Sequence, residues 1–399
     1  MRYISIPYLH DHHSHFSLYA GLANSLNIKE KRDKNEVLDI LKSFPDDKLN
    51  VVYGWNSGSF RFSDKELESL PPVLIANLSL HGFVLNGTAK KMLRDEYPEI
   101  IKNYKDTDWC EEHLTELVLF FSRILPTPFE TVLEYAKLLE TEFGIYETED
   151  MLLPSDEFYK MIENSELSER VFFWADLKTF KTLSKDTHNK IKGIKLFTDG
   201  ANGAATAAMA EPYKTGEKGF LTYSDKKLTE LMEESLEISN AVAIHAIGDR
   251  AIDQIISATE ILRRHNQMKL VRIEHCQFIF EKSAKKARDL GITLSLQPNF
   301  NEDSVIYSDR IPEKYVRQNN PFRMLIDKAG FVPGKDLILG SDGMPHGVEF
   351  ALEQCFWPPF PVQNLKLSEF VDGYCMKERD RFLDLEIDEH HKKIRISRN

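Results

Sequence analysis

Short apolar or β-branched runs recur along the chain. Longer stretches whose apolar residues fall at helical spacing separate them. Eight runs stand out, at residues 3–9, 144–152, 170–177, 191–197, 242–247, 270–276, 291–298 and 337–342. Amphipathic segments follow most of them, for example 226–239, 251–264, 282–290 and 321–329. Short apolar runs of this kind read as strands, and apolar positions at helical spacing read as helices. Strand–helix alternation implies parallel strands joined by crossover helices. Eight such units predict a protein of the α/β class, a (β/α)8 TIM barrel.

The alternation breaks once. Roughly 135 residues separate the first run from the second, far too many for a loop. The pattern therefore predicts an insertion after strand 1, over about residues 40–143, with strand-like pieces at 51–53 and 73–78 and a helix at 129–143. The barrel with its insertion is expected to occupy residues 1–360. Residues 361–399, charged and ending near His390 and His391, read as a C-terminal helix and polar tail.

Composition narrows the class. Of the 399 residues, 42% are hydrophobic and 11% aromatic, too many for a disordered chain. No apolar stretch is long enough for a transmembrane helix, and the first residues lack the apolar core of a signal peptide. A net charge of −12 argues against a nucleic-acid partner, which needs a basic face. The four cysteines have no CxxC spacing and read as free thiols of a reducing compartment. A cytoplasmic protein acting on a small molecule, with no membrane or nucleic-acid partner and possible self-association, is the expectation.

The 13 histidines matter through their placement. In such barrels, reactive side chains sit at the C-terminal ends of strands. The first run leads into Asp11-His12-His13-Ser14-His15, and the fourth carries Lys195 before Asp199-Gly200. The fifth ends in His245, the sixth in Glu274-His275, and the eighth in Ser341-Asp342. Residues i and i+2 of a strand share a face, so His13 and His15 are able to grip one ion together. Each residue alone has a plainer reading: a chance HxH pair, core histidines, a surface lysine, a helix cap. Their joint position at strand ends favours a metal site.

These residues resemble the amidohydrolase superfamily, and within it the amidohydrolase-3 branch, which includes N-substituted formamide deformylases. The resemblance rests on Pro7-Tyr8-Leu9-His10-Asp11-His12-His13-Ser14-His15, Gly193-Ile194-Lys195, His245-Ala246-Ile247-Gly248-Asp249, Arg272-Ile273-Glu274-His275, Gln297-Pro298 and Gly340-Ser341-Asp342. Gly54-Trp55 and His81-Gly82-Phe83 of the insertion also fit. It runs from about residue 7 to about residue 350. Tyr8 stands where these relatives usually carry Gly, and Ala204-Ala205 where a Ser-Arg pair is common. The relatives also have a small β-sandwich built from both chain ends. Here most or all of it is expected to be lacking.

The resemblance implies a metal-dependent hydrolase of a non-peptide C–N bond in an amide, N-formyl or cyclic amide. His13, His15 and Asp342 would bind one divalent ion, and His245 and His275 a second. Lys195, carbamylated as in relatives, would bridge them. Two zinc ions are the expected cofactors. Asp342 would shuttle the proton to the leaving nitrogen, with Lys195 and His275 also counted in the catalytic set. His81, Trp55, Gln297 and Arg323 are substrate-binding candidates by the same resemblance; core packing for Trp55 and a structural salt bridge for Arg323 are the open alternatives. Asp11 and Asp249, close to ligand histidines in sequence, are supporting candidates that would fix an imidazole tautomer. A turn or cap role is equally open for both. Two alternatives remain: a mononuclear deaminase of an aminated heterocycle, against which Lys195 counts, and a catalytically inactive barrel used for binding.

Overall fold

In the computed structural model, which describes residues 2–77, 80, 82–264, 269–378 and 380–397, fifteen strands follow one another. They are β1 (Arg2–Pro7), β2 (Leu9–Ser14), β3 (Leu26–Asn27), β4 (Asn50–Trp55), β5 (Val73–Asn77), β6 (Phe83–Leu85), β7 (Ile145–Asp150), β8 (Val171–Asp176), β9 (Gly193–Phe197), β10 (Ala241–Ala246), β11 (Leu270–His275), β12 (Thr293–Leu296), β13 (Leu337–Leu339), β14 (Phe382–Asp388) and β15 (Lys393–Ile396). The chain divides into two compact units, Met1–Phe16 with Leu133–Asn399, and Ser17–Val132.

The first unit holds an eight-stranded sheet ordered β13-β12-β11-β10-β9-β8-β7-β2, parallel at every pairing. Its two ends meet where the Ser341 and Asp342 N–H groups donate to the His13 carbonyl. This is the expected TIM barrel. Every residue of β10 is buried, as the strand of a parallel sheet covered on both faces should be. The helices between strands start at side-chain caps where the sequence allows. Ser224, for instance, accepts from the Lys227 N–H at the start of Asp225–Ile238. Inside the barrel, Trp174 packs with Met151, Ala241 and Ala243. A Cβ on Gly193 would lie 2.3 Å from the Ala241 carbonyl oxygen and 2.9 Å from the Trp174 ring, so only glycine fits beside that indole.

The first barrel strand is not the first apolar run. Residues 2–7 form β1, which pairs antiparallel with β14. The barrel strand is β2, whose sequence is Leu-His-Asp-His-His-Ser. It escapes a search for apolar runs because the barrel interior it faces is polar.

The expected polar tail is also corrected. After the helix Leu367–Tyr374, β14 and β15 complete a three-stranded antiparallel sheet with β1. In β14, Leu383, Leu385 and Ile387 are buried and alternate with exposed or half-buried charged residues. A period-2 pattern is what a one-sided sheet requires, although the segment's charge disguises it.

The second unit, Ser17–Val132, begins and ends earlier than the expected 40 and 143; the helix Phe129–Phe143 falls mostly outside it. Its sheet is ordered β3-β4-β5-β6, with only β6 antiparallel. Alternate residues of β5 enter different cores. Leu74 and Ala76 join Phe120 and Phe121, while Val73 and Ile75 join Val37 and Leu41. Both faces of this sheet are therefore covered.

Candidate active site and metal centre

Strand β2 ends in a register irregularity between Asp11 and Ser14, and it delivers His13 into the barrel, 1% exposed. The His13 Nδ1–H donates to Glu274 Oε2 at 2.6 Å. A carboxylate only accepts, so the Nε2 lone pair of His13 is left for a metal. Nε2 lies 3.7 Å from Asp342 Oδ1, and His15 Nε2 lies 3.3 Å from the same oxygen. His275 repeats the arrangement: its Nδ1–H donates to Gln297 Oε1 at 2.8 Å. Donor atoms of His13, His275 and Asp342 all fall within 4.8 Å of one another.

Lys195 enters this cluster from β9. It is 1% exposed, and its Nζ has no hydrogen-bond partner. Burial pulls the ammonium down to about 8, against the opposing pull of Glu274 and Asp342. An orphaned amine of lowered basicity beside two imidazoles suits conversion to a neutral or anionic ligand. The donor set of imidazole nitrogens and a carboxylate fits a borderline divalent ion such as zinc. Burial alone would raise the Asp342 carboxyl. The hydrogen bond from His15 and the imidazoles of His13, His15 and His275 outweigh it and hold the group well below the usual carboxylate range.

His245 stands apart from the tight group. Its ring packs on His275 with centroids 4.5 Å apart, but its Nε2–H donates to the Gly200 carbonyl at 3.1 Å. Nε2 is also 3.4 Å from Asp199 Oδ1. Only Nδ1 is left for an ion. Of the six expected ligands, three thus form the compact group. His15 reaches it through Asp342, Lys195 borders it, and His245 presents a different ring atom.

The backbone holding these groups is strained where they emerge. His275, Cys276 and Asp342 adopt φ of 66°, 52° and 55°, a region non-glycine residues rarely occupy. A Cβ on Gly340 would lie 2.5 Å from the His13 backbone nitrogen, so this glycine lets Asp342 approach β2. Asn299 ties the same turn by donating to the carbonyls of Ser341 and Met344, both at 2.8 Å.

Asp11 supports the site, though through no imidazole of the ligand set. It is fully buried and accepts from the Ser341 N–H at 2.8 Å and from the His13 N–H at 3.2 Å. It therefore pins the two strand ends that carry ligands. Asp249 accepts from the Ala210 N–H at 2.7 Å and the Tyr315 hydroxyl at 2.8 Å, so it anchors a loop and fixes no tautomer. The groups that do orient imidazoles are Glu274 and Gln297. Gln297, expected to touch substrate, is turned to His275.

The remaining described candidates make contacts of their own. Arg323 donates to Glu369 Oε2 at 2.7 Å and joins the helices Phe322–Asp327 and Leu367–Tyr374. That ion pair is the structural role the sequence leaves open for Arg323 beside the substrate-binding one. Trp55 lies in the inserted unit, where its indole N–H donates to the Phe60 carbonyl at 3.0 Å and its ring packs on Phe62. His81 lies outside the described residues.

Several participants escaped the sequence reading because their partners are remote in the chain. Asp199 accepts from the backbone N–H groups of Ala208, Ile247 and Gly248, knotting the loops after β9 and β10. Asn202, 2% exposed, has no hydrogen-bond partner for either amide atom. Asp303 receives a hydrogen bond from Gln277 at 3.2 Å, and burial pushes its carboxyl up to about 7. Below the centre, Arg272 pairs with both Glu274 and Glu149. A chain of buried charges thus runs down the barrel from His13. Its nearest signal in the sequence was the i, i+2 pair Arg272 and Glu274 on one strand face.

Comparison with known proteins agrees with this geometry. The amidohydrolase family model matches residues 5–348. YtcJ of Bacillus subtilis (strain 168) is 31% identical over 152 residues, 37% of this chain and 28% of that protein. Protein LONG AFTER FAR-RED 3 of Arabidopsis thaliana is 29% identical over 203 residues, 49% of this chain and 34% of that protein. The chain thus matches about a third of the length of these curated relatives. In fold it is similar to an uncharacterized metal-dependent hydrolase from Pyrococcus furiosus (TM-score 0.71, 18% identity, 97% of this chain and 88% of that one). A second such hydrolase, from Pyrococcus horikoshii OT3, superimposes with a TM-score of 0.67 at 20% identity, over 88% of this chain and 74% of that one. With a family model matched across most of its length, the chain belongs to the amidohydrolase family.

Proposed function

We propose that this protein is a metal-dependent hydrolase of a C–N bond outside peptide linkages, in an amide, N-formyl or cyclic amide of a small molecule. The observation that carries the reading is the compact group of His13, His275 and Asp342. Glu274 and Gln297 orient its imidazoles, and the unpartnered Lys195 amine borders it. A bound divalent ion would lower the pKa of a water and polarise the substrate carbonyl. The chain's own residues supply the rest. His13 and His275 present Nε2 lone pairs. His15 and His245 flank them, and Lys195 in carbamylated form would join two zinc sites. The Asp342 carboxylate, ionised at neutral pH, would take a proton from the attacking water and return it to the leaving nitrogen. Asn202, with its unspent amide, is a candidate to hold a substrate polar group.

One observation favours a second reading. His245 donates Nε2–H to Gly200, which leaves a three-residue group suited to one ion and to deamination of a heterocycle. Hydrolysis of N-formyl, N-acyl and cyclic amides, and deamination of amino-heterocycles, should be assayed with metal-stripped and zinc-reconstituted protein, counting ions per chain. Zinc-dependent amide cleavage that His275→Asn lowers by at least ~100-fold is expected for an oriented ligand. Metal-independent turnover, or deamination with one ion, would overturn the proposal.

A further inference from the structure

Beneath the active centre, at the N-terminal end of the barrel, lies a second group of imidazole and carboxylate donors that the hydrolytic reading does not use. His10 and His12 sit two residues apart on β2 with stacked rings, centroids 4.0 Å apart. Both approach Glu149 of β7. His10 Nε2 lies 3.4 Å and His12 Nδ1 2.9 Å from Glu149 Oε1. All three donor atoms fall within 4.8 Å of one another. We propose that His10, His12 and Glu149 form a separate binding site for a zinc-like divalent ion, with solvent in the fourth position.

Three features go beyond mere clustering. The first is spacing. Zinc with bonds of about 2.0–2.1 Å in tetrahedral array holds its ligand atoms about 3.3 Å apart, and the two carboxylate–imidazole separations bracket that value. The second is orientation. The His10 Nδ1–H donates to Glu147 Oε2 at 2.6 Å, which directs its Nε2 lone pair at Glu149. That Nε2 is buried with no hydrogen-bond partner. A histidine held by a carboxylate on one nitrogen and open on the other is how metal-binding imidazoles are arranged. The third is the division of labour within Glu149. Its Oε2 accepts from Arg272 at 2.8 Å and from the Trp174 indole at 2.7 Å. Those donors compensate the buried charge and leave Oε1 facing the imidazoles. The His12 Nδ1–H donates to Glu149 Oε1 at 2.9 Å, so an ion bound here would take the place of that proton.

The site opens to solvent. The side chains of His10, His12 and Glu147 are 12%, 16% and 19% exposed. The competing cation is Lys192, whose Nζ lies 3.9 Å from Glu149 Oε1. It is 39% exposed and sits over the Phe172 ring, 4.5 Å from its centroid, so a bound ion would displace it toward solvent. The site contains none of the ligands assigned to the active centre, so the proposal stands apart from the hydrolytic one.

The test is a metal count on the full chain. Wild type, His10→Gln, His275→Asn and the double variant are stripped with a chelator, titrated with Zn²⁺ alone, and measured by mass spectrometry. His10→Gln should hold one ion fewer than wild type, and His275→Asn should keep the ion that His10→Gln loses. The double variant should lack both. Substitution with Co²⁺ should give visible bands in wild type that are absent from His10→Gln in the difference spectrum. Glu147→Gln keeps all three ligands and carries the test should His10→Gln fail to fold; its affinity for that ion should drop about 10–100-fold. Equal ion counts and affinities in wild type, His10→Gln and Glu147→Gln would overturn the site.

Discussion

At the scale of single residues, burial decides which titratable groups matter. Asp303 illustrates it: a carboxyl pushed up to about 7 by burial stays protonated in the fold at acidities where the unfolded chain has released its proton. Its contribution to stability is full below the ordinary aspartate value of 3.8 and is lost as pH rises through about 7. Asp303→Asn should therefore stabilise the protein above pH 7, on the order of 4 kcal/mol, and flatten the stability profile between pH 4 and 7. Urea unfolding of both chains across that range measures it; parallel profiles would show that Asp303 ionises normally. The same scale shows how far sequence reading reaches. His13, His275 and Asp342 were legible because metal-capable residues at successive strand ends are unusual. Glu274 and Gln297 were not read as the groups that set the tautomers. That role depends on a side chain 261 residues away for His13 and 22 away for His275, and no spacing rule spans such distances.

At the scale of elements, the contrast is between what a residue type suggests and what its neighbours require. Arg323 is a substrate-binding candidate by resemblance, with a structural salt bridge equally open. Its guanidinium joins two helices through Glu369. Arg323→Ala should cost about 1.5–3 kcal/mol of stability, as loss of a charged hydrogen bond does, while leaving KM for a turned-over substrate unchanged. Thermal unfolding and steady-state kinetics on the same preparation separate the two roles, and a raised KM without destabilisation would restore the substrate-binding reading. Strand β2 teaches the converse lesson. Its polar sequence hid it among the apolar runs, yet pairing with β7 makes it the barrel strand that carries His10, His12 and His13. Hydrophobic periodicity finds strands that face apolar cores, and this one faces buried charge.

At the scale of the molecule, the barrel was legible because seven of its eight strands are apolar runs in regular alternation with amphipathic helices. The insertion announced itself by length. Its boundaries at Ser17 and Val132 did not, since they depend on which helices pack with which sheet. The C-terminal segment was misread as a tail because Asp384, Glu386 and Asp388 mask the inward Leu383, Leu385 and Ile387 of β14. Leu385 is fully buried, so Leu385→Ala should lower stability by about 2–5 kcal/mol in chemical denaturation, where a solvated tail would show no change. By itself the sequence determined the α/β alternation, the strand ends that carry metal-capable residues and the family resemblance. All of these follow from local periodicity and from residue types at fixed offsets. Only the tertiary structure decided which nitrogen each imidazole presents, that β1 and β14 pair across nearly the whole chain, and that two further histidines converge on Glu149. These depend on contacts between residues remote in sequence, which a chain acquires only by folding.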